Sequence, residues 1–278
     1  MKREHTLRRK LDSLGMLGQA ITAMKSLSAH HLRTSRAGLT AARAYRDGID
    51  QAMAAAGIAQ IPPKDGTPAV LLLAADLGLC DGYNTRLVAA ALDQRMTLDA
   101  TRLYCVGRRP LTALRRALVP VERSYPAVTS VGGLTRLLLT LADDVLGDYL
   151  SGRFSSLHVV SARFDGVGAF TPRVTRVLPV VPIHNVERLS AAPYAEPRHL
   201  AESAVREYVY STFYELLLDA LAAEHGMRLV ATQAAEEWLE TRINELRREL
   251  ASARRESSTQ EVLDVASGAR QRRRTALA

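Results

Sequence analysis

Proline is missing from both ends of this 278-residue chain: the first is Pro62 and the last is Pro197. Proline inside a helix costs about 3 kcal/mol, so its absence permits long helices at both ends without enforcing them. Cysteine is nearly absent too. Cys80 and Cys105 are too few for a disulfide framework or a thiolate metal cluster. Both adjoin apolar, strand-like runs, which marks them as buried, inert thiols in a reducing compartment. Aromatic residues make up only 5% of the chain, while Ala and Leu dominate, a balance that favours helix on helix over a sandwich or barrel. No run approaches the ~18 uncharged apolar residues of a membrane-spanning helix. The basic start Met1-Lys2-Arg3-Glu4-His5 leads into no apolar stretch of the kind a secretory signal carries.

What is present is ordinary in bulk and uneven in detail. Hydrophobic residues make up 47% and charged residues 24%, enough for one or two domains with a proper core. The net charge is +8, and it gathers at the start: residues 1–60 hold ten basic and four acidic side chains, whereas 198–278 hold twelve and thirteen. A basic arm and a charge-rich, nearly neutral arm are complementary as a helix pair. A nucleic-acid contact would also want positive charge, but the basic residues lack interleaved aromatics and any recognised reader motif. The run Arg270, Arg272, Arg273 and Arg274 reads as a solvated tail.

Periodicity supplies the helices. Leu239, Ile243, Leu246, Leu250, Ala253 and Ser257 are spaced 4, 3, 4, 3 and 4 apart, the 3.5-residue seam of a helix wound against a partner. Val205, Tyr208, Val209, Phe213, Leu216, Leu217 and Leu221 give the preceding half a broader apolar face. At the other end, Leu7, Leu11, Leu14, Ile21, Met24, Leu27 and Leu32 recur at helical spacing, with Gly15, Gly18 and Ala20 among them allowing close backbone approach. The cluster Pro62-Pro63-Lys64-Asp65-Gly66-Thr67-Pro68 ends the first arm. Between the arms the texture alternates. Strands are expected over 69–75, 102–106, 157–164 and 175–181, and helices over 83–96, 110–118 and 134–150. That alternation predicts a doubly wound, Rossmann-like α/β domain with a mostly parallel sheet. The predicted organisation is an N-terminal coiled-coil helix (1–60), an α/β domain (61–197) and a C-terminal coiled-coil helix (198–278), the two arms meeting as an antiparallel coiled coil.

Few residues offer chemistry. The turn Gly78-Leu79-Cys80-Asp81-Gly82 follows a strand and precedes a helix, where phosphates bind. It matches neither dinucleotide nor P-loop fingerprint, and reads first as a tight turn requiring glycine. Asp76, Cys80 and Asp81 cluster there without a nearby histidine. His30 and His31 point ~100° apart on a helix and do not share a metal readily; His225 lacks the second histidine of a zinc-protease motif. Trp238 stands at seam spacing and is expected to pack. No catalytic residue, metal ligand or cofactor site is assigned.

Four stretches carry a resemblance. Ser258-Thr259-Gln260-Glu261-Val262-Leu263-Asp264-Val265-Ala266-Ser267-Gly268-Ala269 matches the C-terminal ITQELxEIxSGA signature of the gamma subunit of F-type ATP synthases. Ala223-Glu224-His225-Gly226-Met227-Arg228-Leu229-Val230-Ala231 resembles that family's SEHxARMxAM segment. Gly78-Leu79-Cys80-Asp81-Gly82-Tyr83-Asn84 resembles its SDRGLCGGYN turn, and Ile21-Thr22-Ala23-Met24-Lys25-Ser26-Leu27 its ITxAMxMVAAxKL. Leu77 and Asp81 depart from the pattern, as does Arg255 where glutamine is common, as in a divergent member from an alternate F-type complex.

The resemblance implies a central rotor shaft without a catalytic site of its own, single-copy in its complex. Its partners would be the alpha and beta subunits of the catalytic ring, the epsilon subunit and the membrane c-ring. It would sit peripherally at the cytoplasmic face of a bacterial plasma membrane. An arm of ~75 helical residues would span roughly 110 Å, enough to cross such a ring. Ring contacts are expected at Met24, Lys25, Arg228, Arg254, Arg255, Glu261, Ser267 and Gly268, and structural turn roles at Gly78, Gly82 and Asn84. Two rivals remain at this point: a nucleotide-binding α/β enzyme with helical dimerisation arms, and a basic coiled-coil nucleic-acid binder.

Overall fold

The computed structural model describes residues 2–56, 66–100, 102–180 and 197–275. In chain order the elements are α1 (Lys2–Ala55), β1 (Ala69–Leu73), α2 (Tyr83–Thr97), β2 (Arg102–Val106), α3 (Arg108–Arg116), β3 (Arg123–Tyr125), α4 (Val131–Leu150), β4 (Leu157–Gly166), β5 (Ala169–Leu178) and α5 (Pro197–Thr275). The two proline-poor ends are thus helices of 54 and 79 residues. Among the described residues no helix is long and apolar enough to cross a membrane.

The chain divides into two compact units: residues 1–26 with 232–278, and residues 27–231. This division differs from the expected 1–60, 61–197 and 198–278. The cause is packing: Leu39, Ala42 and Met53 of α1, and Val205, Val209, Phe213, Leu217 and Leu221 of α5, lie in the core of the second unit.

That core is built on a five-stranded sheet in the order β3-β2-β1-β4-β5. β3, β2, β1 and β4 run parallel, as the alternation predicts. β1 is buried at every position, which is why its five residues are all apolar: both faces are covered. One face meets α4 and the inner part of α5 through Leu71, Leu73, Leu141, Val145 and Phe213. The other meets α2 and α3 through Val70, Leu72, Leu87 and Leu114.

β5 departs from expectation, because it pairs antiparallel with β4 and starts at Ala169 rather than at 175. Only Val167 and Gly168 separate β4 from β5, and Gly168, at φ 79°, takes the left-handed conformation that such a tight hairpin needs. β5 is an edge strand, so Pro172 within it costs no interior ladder bond.

Cys80 and Cys105 are both free and buried. Burial pushes both thiols up, Cys105 to about 12. Neither is expected to react with a thiol reagent at pH 8 until denaturant is added, when both should; rapid labelling of the folded chain would contradict this.

In the first unit the seam forms where the 3.5-residue repeat places it. Leu246, Leu250 and Ala253 of α5 bury with Leu7 of α1, with Leu11 and Leu14 half-buried beside them. Arg254 Nε donates to Glu4 Oε1 at 3.0 Å, and Lys25 Nζ reaches Glu236 Oε2 at 2.7 Å. Residue 4 lies by 254 and residue 25 by 236, so the helices are antiparallel. Gly15 and Gly18 do not serve close approach, since a Cβ at either would meet open space. Leu246→Ala should cost about 2–3 kcal/mol. The expected readout is fraying of α1 and α5 ends in hydrogen exchange, with β1 protection unchanged.

Candidate partner-contact site

The turn from Gly78 to Asn84 is where an α/β enzyme of this topology would bind its ligand, so its surroundings decide between readings. Gly82 caps α2 at φ 63°, and Leu79 and Asp81 are also left-handed, at 54° and 25°. Asn84 Oδ1 accepts the Ala75 amide at 2.9 Å and holds the turn to the end of β1. Asp76, grouped earlier with Cys80 and Asp81 as a candidate nucleophile or ligand set, is otherwise engaged. Its Oδ1 accepts the amides of Arg108 at 2.8 Å and Ala127 at 3.0 Å, stapling the loops after β1, β2 and β3 together.

The space above the C-terminal ends of the parallel strands is filled by α5. Leu73, Ala74 and Val106 face Leu217, Ala220, Leu221 and Glu224 across a cavity of only about 20 Å³, about room for one water. Tyr83, buried beside the turn, donates its hydroxyl to Ala220 O at 3.0 Å. The chain leaves β1 toward β2 and returns to β4 on its other side, so the topological switch lies between β1 and β4. The core beside it is closed by Tyr83, Phe170, Ala223 and Met227. Gly226 permits this approach, since a Cβ there would stand 3.1 Å from Phe164 Cε2. Above the ends of β1 and β2 the space is occupied by the protein's own helix, while the outer side of the turn borders an open groove of about 610 Å³ between α2 and α3.

Arg228 is the largest correction among the expected contacts. It is 1% exposed, inside the second unit. Its Nη2 bonds Glu224 Oε1, one turn earlier on α5, and its Nε donates to Gly78 O at 3.2 Å. Its Nη1 lies 3.3 Å from His225 Nδ1. His225 Nε2 lies 2.9 Å from the carbonyl of Thr129, which can only accept, so Nε2 carries the hydrogen and Nδ1 accepts from Arg228. The imidazole is therefore neutral. Burial first, with the Arg228 charge beside it, pushes its pKa down to about 4. Burial pushes the Glu224 carboxyl up, while Arg228 pulls it back. His31 of α1 lies with its ring 5.0 Å from that of His225, while His30 is exposed. The cluster locks α5 to the turn. Its sequence signal was the four-residue Glu224–Arg228 spacing, but a lone arginine in an amphipathic run reads as a surface charge.

A second ionic clamp escaped the sequence reading. Arg43 Nη2 meets Asp219 Oδ2 at 3.0 Å and Arg46 Nε meets Glu215 Oε2 at 2.9 Å, both carboxylates being buried. Asp219 Oδ1 also accepts the Phe164 amide at 2.9 Å, tying α1, α5 and β4 together. Such a clamp holds helices in one register.

The remaining expected contacts lie in the first unit. Met24 and Lys25 are half-buried, Lys25 by its ion pair with Glu236. Arg254, Arg255, Glu261 and Ser267 are exposed. Arg255 Nε donates back to Ala251 O at 3.3 Å. Gly268 belongs to α5, but its surroundings lie outside the described residues. Leu27, expected on the apolar stripe of α1, is exposed instead. So is Trp238, which at 60% exposure does not pack into the seam. It borders a groove of about 470 Å³ with Arg9, Lys10, Ser13, Leu14 and Arg242. Met16 and Leu17 of α1, and Val262, Leu263 and Val265 of α5, also face solvent. Met16 and Leu17 lie on the paired stretch, and Val262, Leu263 and Val265 on α5 past the start of α1.

Comparison with known proteins places the whole chain in one family. The sequence profile of the ATP synthase family matches residues 4–271. The ATP synthase gamma chain of Desulforamulus reducens is 27% identical over 276 residues, covering 95% of this chain and 96% of that one. That of Chromobacterium violaceum is 28% identical over 282 residues, covering 94% and 96%. Among solved structures, the Euglena gracilis mitochondrial ATP synthase OSCP/F1/c-ring assembly contains a chain of like fold, with TM-score 0.66, 14% identity and coverage of 96% and 93%. A second Euglena gracilis structure, of the rotor, gives TM-score 0.63 at 14% identity, covering 92% and 98%. With matched residues running from near one end to near the other, this chain belongs to the ATP synthase family, among relatives named as its gamma chain.

Proposed function

We propose that this chain is the central-stalk rotor subunit of a rotary F-type ATP synthase, coupling ion flow through a membrane c-ring to ATP synthesis or hydrolysis in an alpha–beta ring. The first unit would enter the ring of alpha and beta subunits, and the second would meet the epsilon subunit and the c-ring. One copy serves the complex, peripherally, at the cytoplasmic face of a bacterial plasma membrane. The observation that carries this is the first unit itself: an antiparallel helix pair with Met16 and Leu17 uncovered, prolonged by a stretch of α5 past the start of α1 on which Val262, Leu263 and Val265 are uncovered. An enclosing partner supplies the burial that the pair cannot supply for itself.

The mechanism is differential contact. A rotor biases a catalytic site only if its faces differ, because a ligand or partner shifts an equilibrium by its differential affinity alone. One side of the pair holds a groove beside Trp238 that carries Arg9, Lys10 and Arg242. Each catalytic site would therefore meet a basic face at one rotor angle and not at the others. Lys25, Arg254, Arg255 and Glu261 would add angle-dependent charge contacts. Under this reading the chain turns over no nucleotide itself.

Co-expression with alpha and beta subunits tests the assignment. Recovery of one complex with ATPase activity supports it, and failure to co-purify contradicts it. The enzyme reading predicts stoichiometric nucleotide binding by the isolated chain instead.

A further inference from the structure

From Ser211 to Arg228, α5 is buried at every position but Tyr214. A helix covered all round has no solvated face to fix how far it is rolled about its own axis. Its leucines fix that setting only weakly. Leu216, Leu217 and Leu218 are all buried and point in three directions about 100° apart, so a roll of one residue puts leucine where leucine was. A core accepts such exchanges of like side chains at small cost. Glu215 and Asp219, at 4% and 3% exposure, break the near-equivalence. One turn apart on one face, they meet Arg46 and Arg43 of α1. Arg43 Nε also lies 3.4 Å from Glu215 Oε1, so the four side chains form one network rather than two separate pairs. The second oxygen of Asp219 accepts the Phe164 amide, which refers α5 to β4 as well as to α1.

We propose that Arg43, Arg46, Glu215 and Asp219 are positioning residues that fix the rotational setting of α5 within the second unit, and that this lock carries torque between that unit and the helix. A roll of about 100° moves both carboxylates off their arginines and in among leucine and alanine, where a charge without its partner is strongly disfavoured. The arginines, partly exposed, keep contact with water in any setting; the carboxylates do not. The torque role rests on the rotor reading; the positioning role does not. α5 is one helix of 79 residues with parts in both units, so a twist of the second unit is passed along it only if α5 cannot turn within that unit.

The positioning role is tested on the full chain with nitroxide labels at Thr40→Cys on α1 and Ser203→Cys on α5, both exposed positions, while the buried Cys80 and Cys105 stay unlabelled. Double electron–electron resonance should give one narrow distance when the network is intact. The variant Arg43→Met, Arg46→Met, Glu215→Leu, Asp219→Asn removes all four charges and leaves the Phe164 amide an acceptor. Apolar replacement of a buried ion network commonly keeps stability, so its thermal midpoint should hold while its distance distribution widens about two-fold or splits. The isosteric pair Glu215→Gln, Asp219→Asn is measured alongside. A distribution as narrow in the uncharged chains as in the parent, or failure of both variants to fold, overturns the positioning role. The torque role is tested in the complex assembled with co-expressed alpha and beta subunits, by ATP-driven rotation of a probe attached to the second unit. With a small probe the uncharged variant should match the parent's rate. With a probe of high viscous drag it should slip or turn at least three-fold more slowly. Equal speed under drag overturns the torque role. Failure of the parent chain itself to assemble counts against the rotor reading, and the spin-label distances still decide the positioning role.

Discussion

Arg228→Met is expected to lower the unfolding free energy of the second unit by about 3–5 kcal/mol, the usual cost of breaking a buried ion pair from one side. Methionine fills much of the volume, so the loss is electrostatic. Glu224, in the interior, would keep its charge without a counter-ion or take up a proton. Gly78 O and His225 Nδ1 would each lose a donor. The double variant Glu224→Gln, Arg228→Met removes the orphaned charge and should recover about half of the loss. Urea denaturation followed by near-ultraviolet circular dichroism reads both. A loss below about 1 kcal/mol for Arg228→Met would show that the cluster does not hold α5 to the turn.

The second large effect is a pH dependence set by His225. Its folded pKa lies at about 4 and its unfolded pKa near 6.5. Above pH 6.5 the imidazole is neutral in both states and contributes no slope. Between pH 6.5 and 4 the unfolded chain binds a proton that the folded chain refuses, so stability falls as pH falls. The full shift corresponds to about 3 kcal/mol. The groups facing the imidazole are Arg228 on its own helix, His31 on α1 and the Thr129 carbonyl. Burial also lowers the pKa of His31, which adds to the slope in the same direction. The raised carboxyl of Glu224 acts the opposite way, since its contribution is greatest at low pH and is lost as pH rises past 4.5. Glutamine reproduces the neutral imidazole, with one donor for Thr129 O and one acceptor for Arg228. His225→Gln should therefore fold at pH 7 and lose most of the slope between pH 6.5 and 4. An unchanged slope in that variant would place the titration elsewhere.

The parts legible in the sequence were those where one physical signal dominated. β1 and β2 were readable because buried parallel strands must be apolar on both faces. The seam of Leu246, Leu250 and Ala253 was readable because a helix pair of this kind allows only one narrow stripe. β3 went unseen, since three residues with Ser124 exposed give no period. β5 was placed too late because Pro172 argues against a strand unless the strand is an edge, which only the sheet order reveals. α3 was expected from Pro110, but it begins at Arg108, with Gly107 at φ 113° before it. The site divided in the same way. Asn84 and Gly82 showed themselves through turn chemistry. Arg228 did not, because burial of a charge depends on partners, Gly78 and Glu224, that only the fold assembles. Trp238 was misread for the opposite reason: an aromatic side chain at seam spacing looks internal until the partner helix proves too narrow to cover it.

A rotor subunit must turn inside a ring of other subunits. Cys80 and Cys105 are buried, so a single cysteine introduced on the second unit, such as Val174→Cys on the exposed part of β5, gives a selective attachment point for an optical probe. With the chain assembled in an immobilised alpha–beta ring and ATP supplied, the probe should rotate in one direction and pause at three equally spaced angles. A probe that stays fixed while the ring hydrolyses ATP at an undiminished rate would contradict the rotor assignment.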